Sequence, residues 1–305
     1  MLSKIKTATF VLSCVVALQP GVTLAEETNV VRAPLVAEDN AEQRINLSGK
    51  LRMLSQRIPS AACHLSRGID VETAGQVLLS ALNEFDAILS ALEFGDPELN
   101  IINPETHKRT LARIQELRVA WEPLKQASQA IAAGKGTDAD LRLVFSQNIE
   151  VLSAAVNLVP ALVKQYSNPN AVPYDKLMLI DISGRQRMLT QKVSKEACMM
   201  GTPYKTANTP TDLEATVQIF EASLNALRHG MPELGLLPPP NDSIEAGLED
   251  VLVNWNGVKP LLDAVLQGDT LGLDALEQNF EGLNATMSNM NKVVGLYADT
   301  ARRSS

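Results

Sequence analysis

The chain has 305 residues and a formal net charge of −8, with 35 acidic side chains against 27 lysines and arginines. That length holds two ordinary cores, and that charge makes nucleic acid or an anionic lipid surface a poor partner. Aromatic residues are only 4% of the chain; strand-like alternation is scarce, and Ala, Leu, Gln and Glu recur at helical spacing, which predicts an all-α fold.

Residues 1–25 read as a secretory signal peptide. Lys4 and Lys6 give a basic start, an apolar stretch runs from Ala8 to Leu18, and Thr23-Leu24-Ala25 offers a small-x-small cleavage site. Leu12-Ser13-Cys14 has too little apolar sequence before it to serve as a lipoprotein signal. No later stretch approaches the roughly 18–20 apolar residues of a membrane helix. The mature chain is therefore expected to be exported, periplasmic and without a transmembrane segment. Cleavage also removes two lysines, so an anion would have to be held by a local cluster acting against an acidic whole.

The remainder reads as eight helices in two sets of four: 40–67, 71–94, 104–133 and 138–166, then 173–200, 210–229, 241–267 and 270–300. Gly95 and Gly230 suit positions just past a helix end, with Pro97 and Pro232 blocking continuation. Asn103-Pro104 and Thr209-Pro210 look like caps followed by a first-turn proline. Asn168-Pro169 and Pro173 punctuate the middle of the chain, and Pro238-Pro239-Pro240-Asn241 parts the sixth and seventh helices.

One phrase opens both sets. Ile45-Asn46-Leu47-Ser48-Gly49-Lys50-Leu51-Arg52-Met53-Leu54-Ser55-Gln56-Arg57 returns 135 positions later as Ile180-Asp181-Ile182-Ser183-Gly184-Arg185-Gln186-Arg187-Met188-Leu189-Thr190-Gln191-Lys192. Phe85, Leu92 and Gly95 return as Phe220, Leu227 and Gly230, and Trp121, Asn148 and Tyr166 as Trp255, Asn279 and Tyr297. The chain is thus a tandem duplication, with a first domain at 26–168 and a second at 169–305, each an up-down four-helix bundle joined by short loops. Trp121 and Trp255 are expected to anchor the cores.

The first helix of each set carries two stripes. Leu47, Leu51, Leu54, Ile58 and Leu65 suit packing within the bundle. The other stripe is Ile45, Ser48, Gly49, Arg52, Ser55, Gln56, Pro59 and Cys63, echoed by Ile180, Ser183, Gly184, Arg187, Thr190, Gln191, Ser194 and Cys198. Small residues, hydroxyls and one arginine suit close helix approach around a polar ligand better than a core. Glycine within a helix costs about 1 kcal/mol relative to alanine, so its presence in both copies points to close approach. An arginine one turn later offers forked donors matched to a flat oxyanion. The residues alone leave open a purely packing role, with the arginine in a salt bridge.

The segment Asn46-Leu47-Ser48-Gly49-x-x-Arg52-Met53-x-Ser55-x-Arg57 resembles the periplasmic motif of bacterial nitrate/nitrite sensor kinases and the PilJ-like N-terminal domain of type IV pilus chemotaxis transducers. In the nitrate sensors, motif helices from two subunits meet, and one arginine from each grips a nitrate. The resemblance implies that Arg52 and Arg187 are ligands for a small inorganic oxyanion, with Gly49 and Gly184 giving close approach and Ser55, Thr190, Arg57 and Lys192 completing the set. Within one chain the two repeats would then form the pair that those relatives form between subunits. Asp181 and Lys192 depart from the motif's Asn and Arg. The alternative is a protein-interaction module that docks a membrane receptor or pilus protein with no small ligand.

Cys63 and Cys198 each follow the motif arginine by 11 residues, almost three turns, and so share its face. In a parallel pair they would meet, either as a disulfide in an oxidising compartment or as two buried thiols. Nothing points to catalysis, a cofactor or a metal. His64, His107 and His229 lack paired ligand spacing, His64 and His229 read as surface or helix-end residues, and adjacent Cys63 and His64 diverge on a helix.

Overall fold

The computed structural model describes residues 41–166, 174–234 and 236–303. The expected signal peptide with its Ala25 cleavage site, Cys14, Asn168-Pro169 and Pro173 lie outside the described residues. The described residues form eight α-helices: α1 (Ala41–Ser66), α2 (Val71–Phe94), α3 (Lys108–Ala132), α4 (Asp138–Tyr166), α5 (Tyr174–Met200), α6 (Thr209–His229), α7 (Asp242–Leu266) and α8 (Leu273–Arg303). Among the described residues there is no strand beyond two isolated bridges, so the fold is all-α, built of two four-helix units.

Consecutive helices of each unit pack together, and α1 and α5 close their units against α4 and α8. The most extensive helix pair of all is α1 with α5, which joins the units. One hydrophobic core consequently runs through both repeats, from Leu51 and Phe85 to Phe220 and Leu283. Both stripes of α1 are buried, Leu51, Leu54 and Ile58 as well as Ser48, Gly49, Arg52 and Cys63.

Local chemistry explains most boundaries. Asp70 accepts from the Thr73 amide and Asn241 from the Ile244 amide, satisfying free N–H groups at the starts of α2 and α7. Gly95 and Gly230 end α2 and α6 at φ 81° and 78°, where a side chain is strained, and their amides donate to Ala91 and Ala226. Each glycine leads into the same small loop, closed by pairing of Asp96 with Ile101 and of Met231 with Leu236.

The start of the third helix differs from its sequence signature. Asn103-Pro104 does not cap it; α3 begins at Lys108. Buried Glu105 accepts from the Thr106 and His107 amides, from Gln165 and from the Tyr166 hydroxyl, and this capture holds the segment out of the helix. Pro210 does sit in the first turn of α6, with Asn208 and not Thr209 at the cap. By length and composition α4 is apolar enough to cross a membrane. Here it is a bundle helix, with Val144, Val151, Ala155, Leu158 and Leu162 in the core.

Trp121 and Trp255 occupy equivalent core positions. Each ring lies against the repeat's phenylalanine, Phe85 or Phe220, and each indole N–H donates to a carboxylate, Asp86 or Glu221. Trp121→Ala should lower stability by about 3–5 kcal/mol in urea unfolding followed by circular dichroism.

His64 lies in the last turn of α1 but is 1% exposed and not on the surface. Its ring stacks on Phe280 at 4.0 Å, and its Nδ1–H donates to the Ser60 carbonyl. Burial pushes its pKa from 6.5 down to about 4. Between those values the unfolded chain takes up a proton that the folded chain excludes. Its contribution is therefore complete above pH 6.5 and falls by about 3 kcal/mol as the pH approaches 4. His64→Gln should flatten that part of a stability–pH profile.

Candidate functional site

α1 and α5 run in parallel and in register. Gly49 and Gly184 face the same two arginines, the Ser60 and Ser194 hydroxyls are 2.8 Å apart, and Cys63 is bonded to Cys198 with Cα atoms 6.2 Å apart. Arg67, just past α1, donates to the Cys198 carbonyl. Small side chains allow this approach, and the motif hydroxyls do not obstruct it. Ser48, Ser55, Ser183 and Thr190 each donate to a carbonyl of their own helix.

At the height of the glycines the two motif arginines meet. A Cβ built on Gly49 would lie 3.2 Å from Nη2 of Arg52 and 3.5 Å from Nη2 of Arg187; on Gly184 it would lie 3.3 Å from Arg187 and 3.7 Å from Arg52. Alanine at either position would crowd the guanidinium of its own repeat and touch the other at ordinary contact distance. Arg52 and Arg187 are only 3% and 1% exposed.

Their supports are crossed between repeats. Arg187 Nη2 donates to the Asn46 carbonyl and Arg52 Nη2 reaches the equivalent Asp181 carbonyl, while Arg187 Nη1 donates to Asn291 on α8. The Asp181 carboxylate faces the site, with Oδ1 2.6 Å from Arg52 Nη2. Exposed Arg185 approaches the other Asp181 oxygen at 3.8 Å. The Nε of both arginines, buried, has no hydrogen-bond partner among the described residues.

Burial lowers the pKa of Arg52, partly countered by Asp181. Burial, and next the charge of Arg52, pushes Arg187 down to about 9, which leaves it charged at neutral pH. Two cations thus share a nearly dry space with one carboxylate. Such a centre is costly until a further negative charge arrives, and its planar N–H donors suit an oxyanion.

The type IV pili methyl-accepting chemotaxis transducer N-terminal domain, PilJ, matches this chain over residues 36–145 and 178–277. The chain belongs to the PilJ family. It carries the domain twice, and each match covers a motif helix, the next two helices and the start of the fourth. The family is one of sensory, not catalytic, domains. No curated protein matches the chain.

The other residues of the expected set stand apart from the PilJ arginine pair. Ser55 and Thr190 line the same seam, with their hydroxyl protons given to their own helices. Arg57 donates to Asn284 on α8, and Lys192 to Glu196 and to Thr216 on α6, so both long cations leave the seam. Asn291 carried no sequence signal, since it lies on α8 away from any motif. Lys195 could have been found one turn beyond Gln191; it is buried at the seam and donates to Gln56 and Asn148.

The cost of the paired cations is measurable. Arg187→Met keeps the stem and removes one of two confined charges. Without added anion it should leave stability unchanged or raise it by about 1–2 kcal/mol in chemical unfolding.

Proposed function

We propose that this PilJ-family chain is an exported periplasmic sensor or binding protein whose two motif arginines hold one small oxyanion, nitrate or nitrite, at the seam between α1 and α5. The observation that carries this reading is the convergence of Arg52 and Arg187 over the paired glycines, buried and with unpartnered Nε–H groups. Two guanidinium groups and one carboxylate leave a positive local balance inside an acidic protein. A flat anion between them would accept from both forks and relieve their mutual repulsion.

Ligand size limits affinity. Four non-hydrogen atoms at a ceiling of about 1.5 kcal/mol each give roughly 6 kcal/mol, a Kd of tens of micromolar. Millimolar nitrate should then stabilise the fold by about 2 kcal/mol, seen as a rise of a few degrees in Tm. Arg52→Gln and Arg187→Gln should abolish that rise while keeping the helical spectrum. Asp181→Asn, which removes the competing carboxylate and restores the motif's own residue, should tighten binding several-fold. Equal nitrate response in both arginine variants overturns the assignment.

The pairing of Asp181 with Arg52 also favours a second reading, in which the chain is complete without a small ligand and docks a membrane receptor or pilus component. No thermal response across nitrate, nitrite, sulfate and phosphate supports that reading.

A further inference from the structure

The duplication supplies an internal control for every interface, and one interface fails to match its copy. α8 closes against α1: Phe280 stacks on buried His64, Leu283 is fully buried, and Arg57 donates to Asn284. The copy of that interface lies between α4 and α5. There Ile149 stands where α8 has Phe280, and Met199 where α1 has His64. Ile149 is 66% exposed, and Met199 packs in a cluster with Phe145, whose ring meets Tyr204. Where that flank is closed by the stacked ring pair, this one has an open pocket of about 250 Å³ lined by both Ile149 and Met199.

The pocket walls carry opposed chemistry. Phe145, Ile149, Leu152 and Met199 are apolar. Facing them is Lys195, 6% exposed, at the position where the closed side has Ser60. Its Nζ donates to Gln56 Oε1 at 2.8 Å and Asn148 Oδ1 at 3.1 Å, both neutral acceptors. Glu196 is 3.9 Å away, and its carboxylate is taken by Lys192 and Thr216. An ammonium carries three donors, and the third N–H of Lys195 has only this carboxylate, beyond hydrogen-bond reach at 3.9 Å. Asp212 stands at the pocket rim and disfavours a second negative charge.

We infer that the cleft between α4 and α5 is a binding site for a small monocarboxylate with a flat or branched apolar body. The carboxylate accepts the third N–H of Lys195, and the body occupies the place that the Phe280 ring takes in the other repeat. The volume falls below that of pockets for drug-sized ligands, which sets the ligand at a single ring or a short branched chain. The site is separate from the arginine pair: Lys195 lies eight residues beyond Arg187, about 12 Å along the helix.

The test is calorimetric titration of the full chain with benzoate and 3-methylbutanoate, with benzamide as the uncharged control. Saturable carboxylate binding is expected, with benzamide at least about tenfold weaker, the loss set by one charge-assisted hydrogen bond. Lys195→Met should weaken benzoate by a similar factor. Ile149→Phe, which supplies the ring found on the closed side, should block it, and both variants should retain the nitrate response of the parent. Carboxylates that fail to bind, or that bind both variants as well as the parent, overturn the proposal. So does a parent that forms dimers on sedimentation while Ile149→Phe does not, since a second copy then covers the cleft. Loss of nitrate binding alone leaves this site standing and counts against the arginine pair.

Discussion

The structure depends on the close parallel approach of α1 and α5. Two long helices lie side by side over much of their length because glycine, serine and cysteine, not leucine, face the seam. That approach buries α1 on all sides and merges two bundles into one core. It also forces two guanidinium groups into a space where almost none of either surface is exposed. Packing and electrostatics conflict at this point: the same contact that stabilises the whole body creates its least comfortable spot. Proteins that keep such a conflict in both copies of a duplicated element commonly use it.

The second theme is broken symmetry. Each repeat supplies the same scaffold, yet the two halves of the seam have been finished differently. Asp181 gives Arg52 a counter-ion that Asn46 cannot give Arg187, and Arg187 donates a hydrogen bond to Asn291 instead. Farther along, His64 and Phe280 stack on one flank, and the other carries an open pocket lined by a buried lysine. A homodimer with identical subunits would bear identical sites, whereas a fused pair is free to differentiate them.

Much of this was legible in the sequence because the decisive signals were local and stated twice. Helical periodicity, the glycines after α2 and α6, and the two tryptophans depend on residues a few positions apart. The arginine and glycine pairs stood out because duplication marks what both copies keep. The start of α3 was not legible, since Glu105 is drawn away by Gln165 and Tyr166, some 60 positions on. Nor could the sequence sort the motif's remaining polar residues. Whether Ser55 turns to its own carbonyl, or Arg57 swings toward Asn284, is set by rotamers and by helices remote in sequence. His64 does lie at a helix end, but its burial was not legible for a related reason: the ring that shields it, Phe280, belongs to the other half of the chain.

The bond between Cys63 and Cys198 has a mechanical meaning as well. It rivets the two central rods together three turns beyond the arginines, so sliding of one past the other is prevented there. Whatever the guanidinium pair engages, the separation of the rods is held at that point. The ends where α1 and α5 begin are the parts of the rods farthest from that tether.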